Sequence, residues 1–156
     1  MNVTGEPIII LLVEDDEDHA EIVKRSLKNH RVPNKIRHAA DGQAAVDYLF
    51  RRGEYSNPED SPRPHLILLD LRLPKMDGLE VLKQIKQTEG LLRIPVVVLT
   101  SSLAETDVAR AYGHHANSYL VKPLNFKRFT ELMTDFGFYW LGWNLNPFDR
   151  DRTDVA

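Results

Sequence analysis

Four groups of polar residues in this chain each follow a short apolar run. Ile8-Ile9-Ile10-Leu11-Leu12-Val13 leads into Glu14-Asp15-Asp16, and Leu66-Ile67-Leu68-Leu69 leads into Asp70. Val96-Val97-Val98-Leu99 leads into Thr100-Ser101-Ser102, and Ser118-Tyr119-Leu120-Val121 into Lys122-Pro123. Carboxylates gathered in one place repel one another, and a hard divalent cation that takes oxygen ligands, Mg²⁺ or Mn²⁺, relieves that repulsion. A lysine beside such a site gains a use once a phosphoryl group is present. The metal, Thr100 and Lys122 can then each take one of its equatorial oxygens. An aspartate can itself be the nucleophile in phosphoryl transfer. Asp70 is the candidate, because it stands alone after the most apolar run and leaves Glu14 and Asp15 to the metal.

These groups meet only if the apolar runs are neighbouring strands of one sheet. Runs this short and continuous are expected of strands buried on both faces, as in a parallel sheet, whose carboxyl ends share one edge. The intervening segments read as helices. Asp16 is placed to cap a helix through Ala20, Ile22, Val23 and Leu27 that ends near Asn29-His30. A weaker strand over Lys35 to Ala39 suits a sheet edge. A helix follows with Ala44, Ala45, Tyr48 and Leu49, and another with Leu79, Val81, Leu82 and Ile85, ended by Glu89-Gly90. Ala104 to Tyr112 is helical in composition. Asn125 is placed to cap a last helix, in which Phe126, Phe129, Leu132, Met133, Phe136 and Trp140 recur at three- and four-residue spacing as its core face. Five strands alternating with five helices predict an α/β sandwich of three layers with right-handed crossovers.

The chain has 156 residues, enough for one domain with a proper core. Its net charge of −3 gives no electrostatic reason to expect nucleic acid or a membrane as partner. It has no cysteine, which excludes disulfide and thiolate chemistry. Met1 to Pro7 lacks the blocks of a signal peptide, and no apolar run approaches the roughly 20 residues that span a bilayer. The expected location is the cytoplasm.

Together, Val13-Glu14-Asp15-Asp16, Asp70 with Leu73-Pro74-Lys75-Met76-Asp77-Gly78, Thr100-Ser101 and Tyr119-Leu120-Val121-Lys122-Pro123 resemble the receiver domain of two-component response regulators. The resemblance runs from about Ile8 to Phe136. The long loop before the third strand and the stretch Arg93-Ile94-Pro95-Val96-Val97-Val98-Leu99-Thr100-Ser101 are similar to the single-domain regulators of cyanobacterial phytochrome kinases. The resemblance implies a flavodoxin-like (βα)5 fold with strand order 2-1-3-4-5. It implies a receiver over 1–146 (core 8–136, helical extension 137–146), a polar tail over 147–156, and no output domain. It further implies that Asp70 accepts a phosphoryl group from the phosphohistidine of a sensor histidine kinase, and the likeness to those single-domain regulators implies a phytochrome. Asp15 would bind Mg²⁺ directly, Glu14 through water, and Arg72 through its backbone carbonyl, with Asp70 completing the set. Thr100 and Lys122 would hold the phosphoryl oxygens, and Tyr119 would turn inward when the threonine moves toward them. Such a protein signals through protein contacts and is not an enzyme beyond slow autodephosphorylation.

Two features depart from the family pattern. His115-Ala116 stands where many receivers have Gly-Ala, and glycine tolerates φ > 0 better than histidine. The last helix also runs on into Gly137-Phe138-Tyr139-Trp140-Leu141-Gly142-Trp143, where Phe138, Leu141 and Trp143 do not fit its apolar stripe. They either cover the sheet edge, fold back onto the domain or form an exposed apolar patch, and the last of these predicts a homodimer through the last helix and its neighbours. Rival functions lack their residues. An aspartate-nucleophile phosphatase needs a second acid two residues after the first, where this chain has Arg72. A nucleotide site needs glycines where Glu14 and Asp15 stand. Too few residues follow the last helix for a helix-turn-helix, and the tail is not basic. His114-His115 do not share a helix face and have no evident third partner, so they make a poor metal site.

Overall fold

The computed structural model describes residues 6–144. In it β1 (Ile8–Val13), α1 (Glu17–Lys28), β2 (Asn34–Ala39), α2 (Gly42–Phe50), β3 (Leu66–Leu69), α3 (Gly78–Lys86), β4 (Val96–Thr100), α4 (Glu105–Gly113), β5 (Ser118–Val121) and α5 (Phe126–Gly137) follow one another. A short 3-10 turn, Gly53–Tyr55, lies in the long loop before β3, and a π-helical segment, Phe138–Trp143, continues α5. The anticipated polar tail, 147–156, lies outside the described residues, as does the end of the anticipated extension.

The five strands form one parallel sheet in the order β2-β1-β3-β4-β5, the flavodoxin-like arrangement. Alternate residues of each strand point to opposite faces, which splits the core in two. Leu11, Val13, Ile67, Leu69, Val96 and Val98 pack under α2, α3 and α4. Ile10, Leu12, Leu66, Leu68, Val97 and Leu99 pack under α1 and α5. Both faces are covered, which is why these strands read as continuous apolar runs rather than alternating ones. The register pairs Val13 with Leu69, Leu69 with Val98, and Thr100 with Val121. Glu14, Asp70, Thr100 and Lys122 are thereby brought to one edge.

Asp16, Asp41, Asp77 and Asn125 each accept backbone amides at the start of a helix, which fixes where α1, α2, α3 and α5 begin. α3 ends earlier than Glu89-Gly90, at Lys86. The Lys86 ammonium donates to the carbonyls of Leu92 (3.0 Å) and Ile94 (2.8 Å), so the chain leaves the helix in a turn wrapped around that side chain. Gly78, the first residue of α3, lies against the backbone of Asp70 and Leu71, where any β-carbon would collide. That contact seats the helix start directly beneath Asp70.

The last helix corrects expectation at Phe126 and decides an open one at Leu141. Phe126, anticipated in the core, is 63% exposed. It occupies the first position of α5 and stays mostly uncovered; the buried stripe starts at Phe129. Leu141, which fits no α-helical stripe, is fully buried. The π-helical turn widens the repeat, so that a residue five positions after Phe136 returns to the same face. Phe138, Tyr139 and Trp143 are left outward.

α4 ends with His114 as cap, and His115 follows at φ 67°. The His115 amide donates to Tyr112 O and the Ala116 amide to Ala111 O, both at 3.0 Å, the paired closure of a Schellman motif. Glycine takes this backbone without the β-carbon clash, against a smaller entropy cost in the unfolded chain. His115→Gly should therefore raise the unfolding free energy by about 1 kcal/mol, read from urea denaturation; an unchanged or lower midpoint would count against strain at His115.

Candidate functional site

The site is built on the ends of β1, β3, β4 and β5. Glu14, Asp70, Thr100 and Lys122 are all buried there, while Asp15 is exposed at the rim. The Lys122 ammonium is the hub. It donates to Asp70 Oδ2 at 2.9 Å, forms a tight ion pair with Glu14 Oε1, and lies 3.1 Å from His19 Nδ1. Backbone amides hold the acids in turn: Arg72 N donates to Asp70 Oδ1 (3.2 Å) and Asp16 N to Glu14 Oε2 (3.3 Å). Asp16 itself accepts from Asp18 N and His19 N, so it caps α1 and takes no part in the cluster.

Three carboxylates against one ammonium leave the cluster net negative. Burial and the neighbouring Asp70 push Glu14 up to about 7, despite its bond to Lys122. Burial also opposes ionisation of Asp70, but the Lys122 ammonium outweighs it and holds Asp70 below its ordinary value. Lys122 is drawn down by burial and up by the two acids; the acids win and keep it charged. In metal-free protein, then, Glu14 binds a proton in the folded chain over a range where the unfolded chain has released it. That contribution is present below about pH 4.5 and lost as pH rises through about 7. We expect unfolding free energy in a chelator to fall by roughly 3 kcal/mol from Glu14 alone across that range. Glu14→Gln should flatten the profile; a variant profile as steep as the wild type's would contradict the assignment.

Oxygen atoms of Glu14, Asp15 and Asp70 all lie within 4.8 Å of one another. This is an oxygen-only donor set with excess negative charge, which fits Mg²⁺ or Mn²⁺ and not a soft metal. The arrangement offers an ionised, amide-anchored carboxylate at Asp70, a cation position beside it, and an ammonium and a hydroxyl at the same edge. Those are the parts needed to receive a phosphoryl group.

Tyr119, on β5, donates its hydroxyl to the carbonyl of Ser102 at 2.9 Å, which ties it to the loop after β4. Sequence reasoning missed three further participants. His19 reaches Lys122 from the first turns of α1. The Arg72 side chain, left without a role by the sequence reading, pairs with the buried Asp107 of α4 at 2.5 Å. Asp107 also accepts from Ser102 Oγ at 2.6 Å. Only the acid-rich first turn of α1 and the position of Asp107 in the first turn of α4 hinted at them.

Comparison with known proteins agrees with this geometry. A family model described as the response regulator receiver domain matches residues 10–134. Response regulator Rcp1 of Synechocystis sp. is 47% identical over 138 residues, covering 88% of this chain and 92% of Rcp1. The probable methanogenesis regulatory protein FilR2 of Methanothrix harundinacea is 48% identical over 142 residues, covering 91% of this chain and 89% of FilR2. Among solved structures, Mn²⁺-bound Rcp1 superposes with a TM-score of 0.86 at 45% identity, over 90% of this chain and 99% of that one. The phosphorylated cyanobacterial phytochrome response regulator RcpA gives 0.87 at 39% identity, over 91% and 99%. With the sheet order, the acid cluster and the lysine already in place, these matches show that the chain belongs to the response regulator receiver-domain family.

Proposed function

We propose that this chain accepts a phosphoryl group on Asp70 from the phosphohistidine of a sensor histidine kinase, and that the resulting change of shape is read by partner proteins. The observation that carries this reading is the buried Asp70 carboxylate, fixed by the Arg72 amide and the Lys122 ammonium beside an acidic cation position. In the transfer, the N–P bond of a phosphohistidine protonated on its other ring nitrogen breaks and an Asp70 Oδ–P bond forms, so that the imidazole leaves neutral. Asp15 would hold Mg²⁺ directly, Glu14 through water, and Arg72 through its carbonyl, together with Asp70, and the bound cation would supply positive charge to the phosphoryl oxygens. Lys122 follows those oxygens as they arrive, and Thr100 supplies a hydroxyl to another. Arg72 offers no acid to protonate a leaving group or activate water, so turnover is slow and the chain is a phosphoacceptor rather than an enzyme.

The named relatives suggest the class of kinase: Rcp1 and RcpA are response regulators, and RcpA a phytochrome one. A phytochrome-type kinase is therefore the proposed donor. Among the described residues no helix is long and apolar enough to cross a membrane. The outward Phe138, Tyr139 and Trp143 support a homodimer through α5 and its π-helical continuation. Sedimentation should show a concentration-dependent dimer, and a monomer at high concentration, with and without phosphodonor, would reject it. The function itself is tested with a small phosphodonor such as phosphoramidate. In Mg²⁺ the intact mass should rise by one phosphoryl group, and a chelator should abolish the rise. A rise that is independent of metal would contradict the reading.

A further inference from the structure

Asp107 is buried in the first turn of α4, yet it lies outside the acid cluster. Its Oδ2 holds two partners at once, the Arg72 guanidinium at 2.5 Å and the Ser102 hydroxyl at 2.6 Å. Ser102 is held again at its carbonyl by the Tyr119 hydroxyl, 2.9 Å away, and its own hydroxyl accepts from Ala104 N at 3.3 Å. Arg72 follows Asp70 by two residues and gives its amide to the Asp70 carboxylate. Ser102 follows Thr100 by two residues, and its amide lies 3.5 Å from Thr100 Oγ1. One buried carboxylate therefore clamps the loop after β3 to the loop after β4, at the same two-residue distance from Asp70 and from Thr100.

We propose that Arg72, Asp107 and Ser102 form a latch that holds the unphosphorylated arrangement, with Asp107 as its positioning residue. This rests on the reading of Asp70 as phosphoacceptor. A tetrahedral phosphoryl group on Asp70 places new oxygens between the ends of β3 and β4, where Thr100 is fully buried and the loops are already tied. Room and hydrogen bonds for those oxygens require the Thr100–Ser102 segment to shift, and that segment cannot shift while Ser102 is bound at both its hydroxyl and its carbonyl. Phosphorylation and latch closure are thus alternatives. Linkage makes the effect reciprocal: whatever opens the latch favours the phosphorylated form by the same factor.

Beryllofluoride, a phosphoryl mimic, tests this on the full chain in Mg²⁺, with binding followed by aromatic fluorescence. Asp107→Ala and Arg72→Ala should each tighten beryllofluoride binding by roughly five-fold or more, the lower end of coupling between linked sites. Arg72 is largely exposed, so its variant keeps the test alive if Asp107→Ala folds poorly. The double variant should bind no tighter than the tighter single variant, since both open one latch. Unchanged or weaker binding in the single variants, or gains that multiply in the double variant, overturns the latch alone. Wild-type protein that fails to bind beryllofluoride, or an Asp70→Asn variant that binds it equally well, overturns the phosphoacceptor reading and the latch with it.

Discussion

Asp70→Asn should leave the protein folded and remove phosphoryl labelling entirely. The amide is nearly isosteric and can still accept from the Arg72 amide at 3.2 Å, so the loop beneath it keeps its anchor. Lys122 retains Glu14 as an ion-pair partner. The cluster loses one of three negative charges, which offsets the weaker lysine contact, and stability should stay within about 1 kcal/mol of wild type. The chemistry has no such substitute. An amide oxygen is a poor nucleophile, and Glu14, the other buried, amide-anchored acid on Lys122, is pushed up to about 7 by burial, whereas Asp70 is held below its ordinary value as the ionised nucleophile. Intact-mass analysis after phosphoramidate treatment in Mg²⁺ reads the effect directly. Labelling retained at wild-type stoichiometry would place the acceptor elsewhere.

Lys122→Ala should have the largest effect on stability. The ammonium is buried between Glu14 and Asp70 and is the only cation bonded to both among the described residues. Its removal leaves two buried carboxylates facing each other, and breaking a buried pair of this kind costs about 3–5 kcal/mol. Glu14, already pushed up to about 7, would take a proton and absorb part of that cost. The variant should still fold, because a domain of this kind has about 5–15 kcal/mol to lose. Mg²⁺ should then stabilise the variant more than the wild type, since the cation replaces a missing positive charge. Labelling of Asp70 should persist more weakly, but the change in the tyrosine environment that accompanies it should shrink. Denaturation with and without Mg²⁺ checks the first part, and aromatic spectra before and after phosphodonor check the second. A variant as stable as wild type in a chelator would contradict the role of Lys122 as charge balance.

What the sequence shows of this molecule depends on how local each signal is. The sheet is legible because strands covered on both faces leave uninterrupted apolar runs, and a parallel sheet must gather the residues that follow them. Asp16 can be separated from Glu14 and Asp15 because a cap needs only its own helix, and the structure gives it just that role. His115 is legible as a strained position because the cost of φ > 0 belongs to the residue itself. The fate of Leu141 is not legible, since a 3.6-residue period assigns it to no face and only the π-helical turn brings it inward. Phe126 misleads for the opposite reason: it keeps the period but, as the first residue of α5, stays exposed. The contacts of Asp107 with Arg72 and of His19 with Lys122 join residues 35 and 103 positions apart. No spacing rule connects such pairs, and they exist only once the crossovers have placed α4 and α1 beside the strand ends.

The central claim is that the phosphoryl group becomes bonded to the side chain of residue 70. Borohydride reduces an acyl phosphate to the alcohol and leaves phosphohistidine and phosphoserine unreduced. Protein treated with phosphodonor in Mg²⁺, reduced and digested, should yield homoserine in place of Asp70 in the peptide that carries it. Reduction at another acid, or a phosphoryl group that survives borohydride on a histidine or hydroxyl residue, would contradict the account.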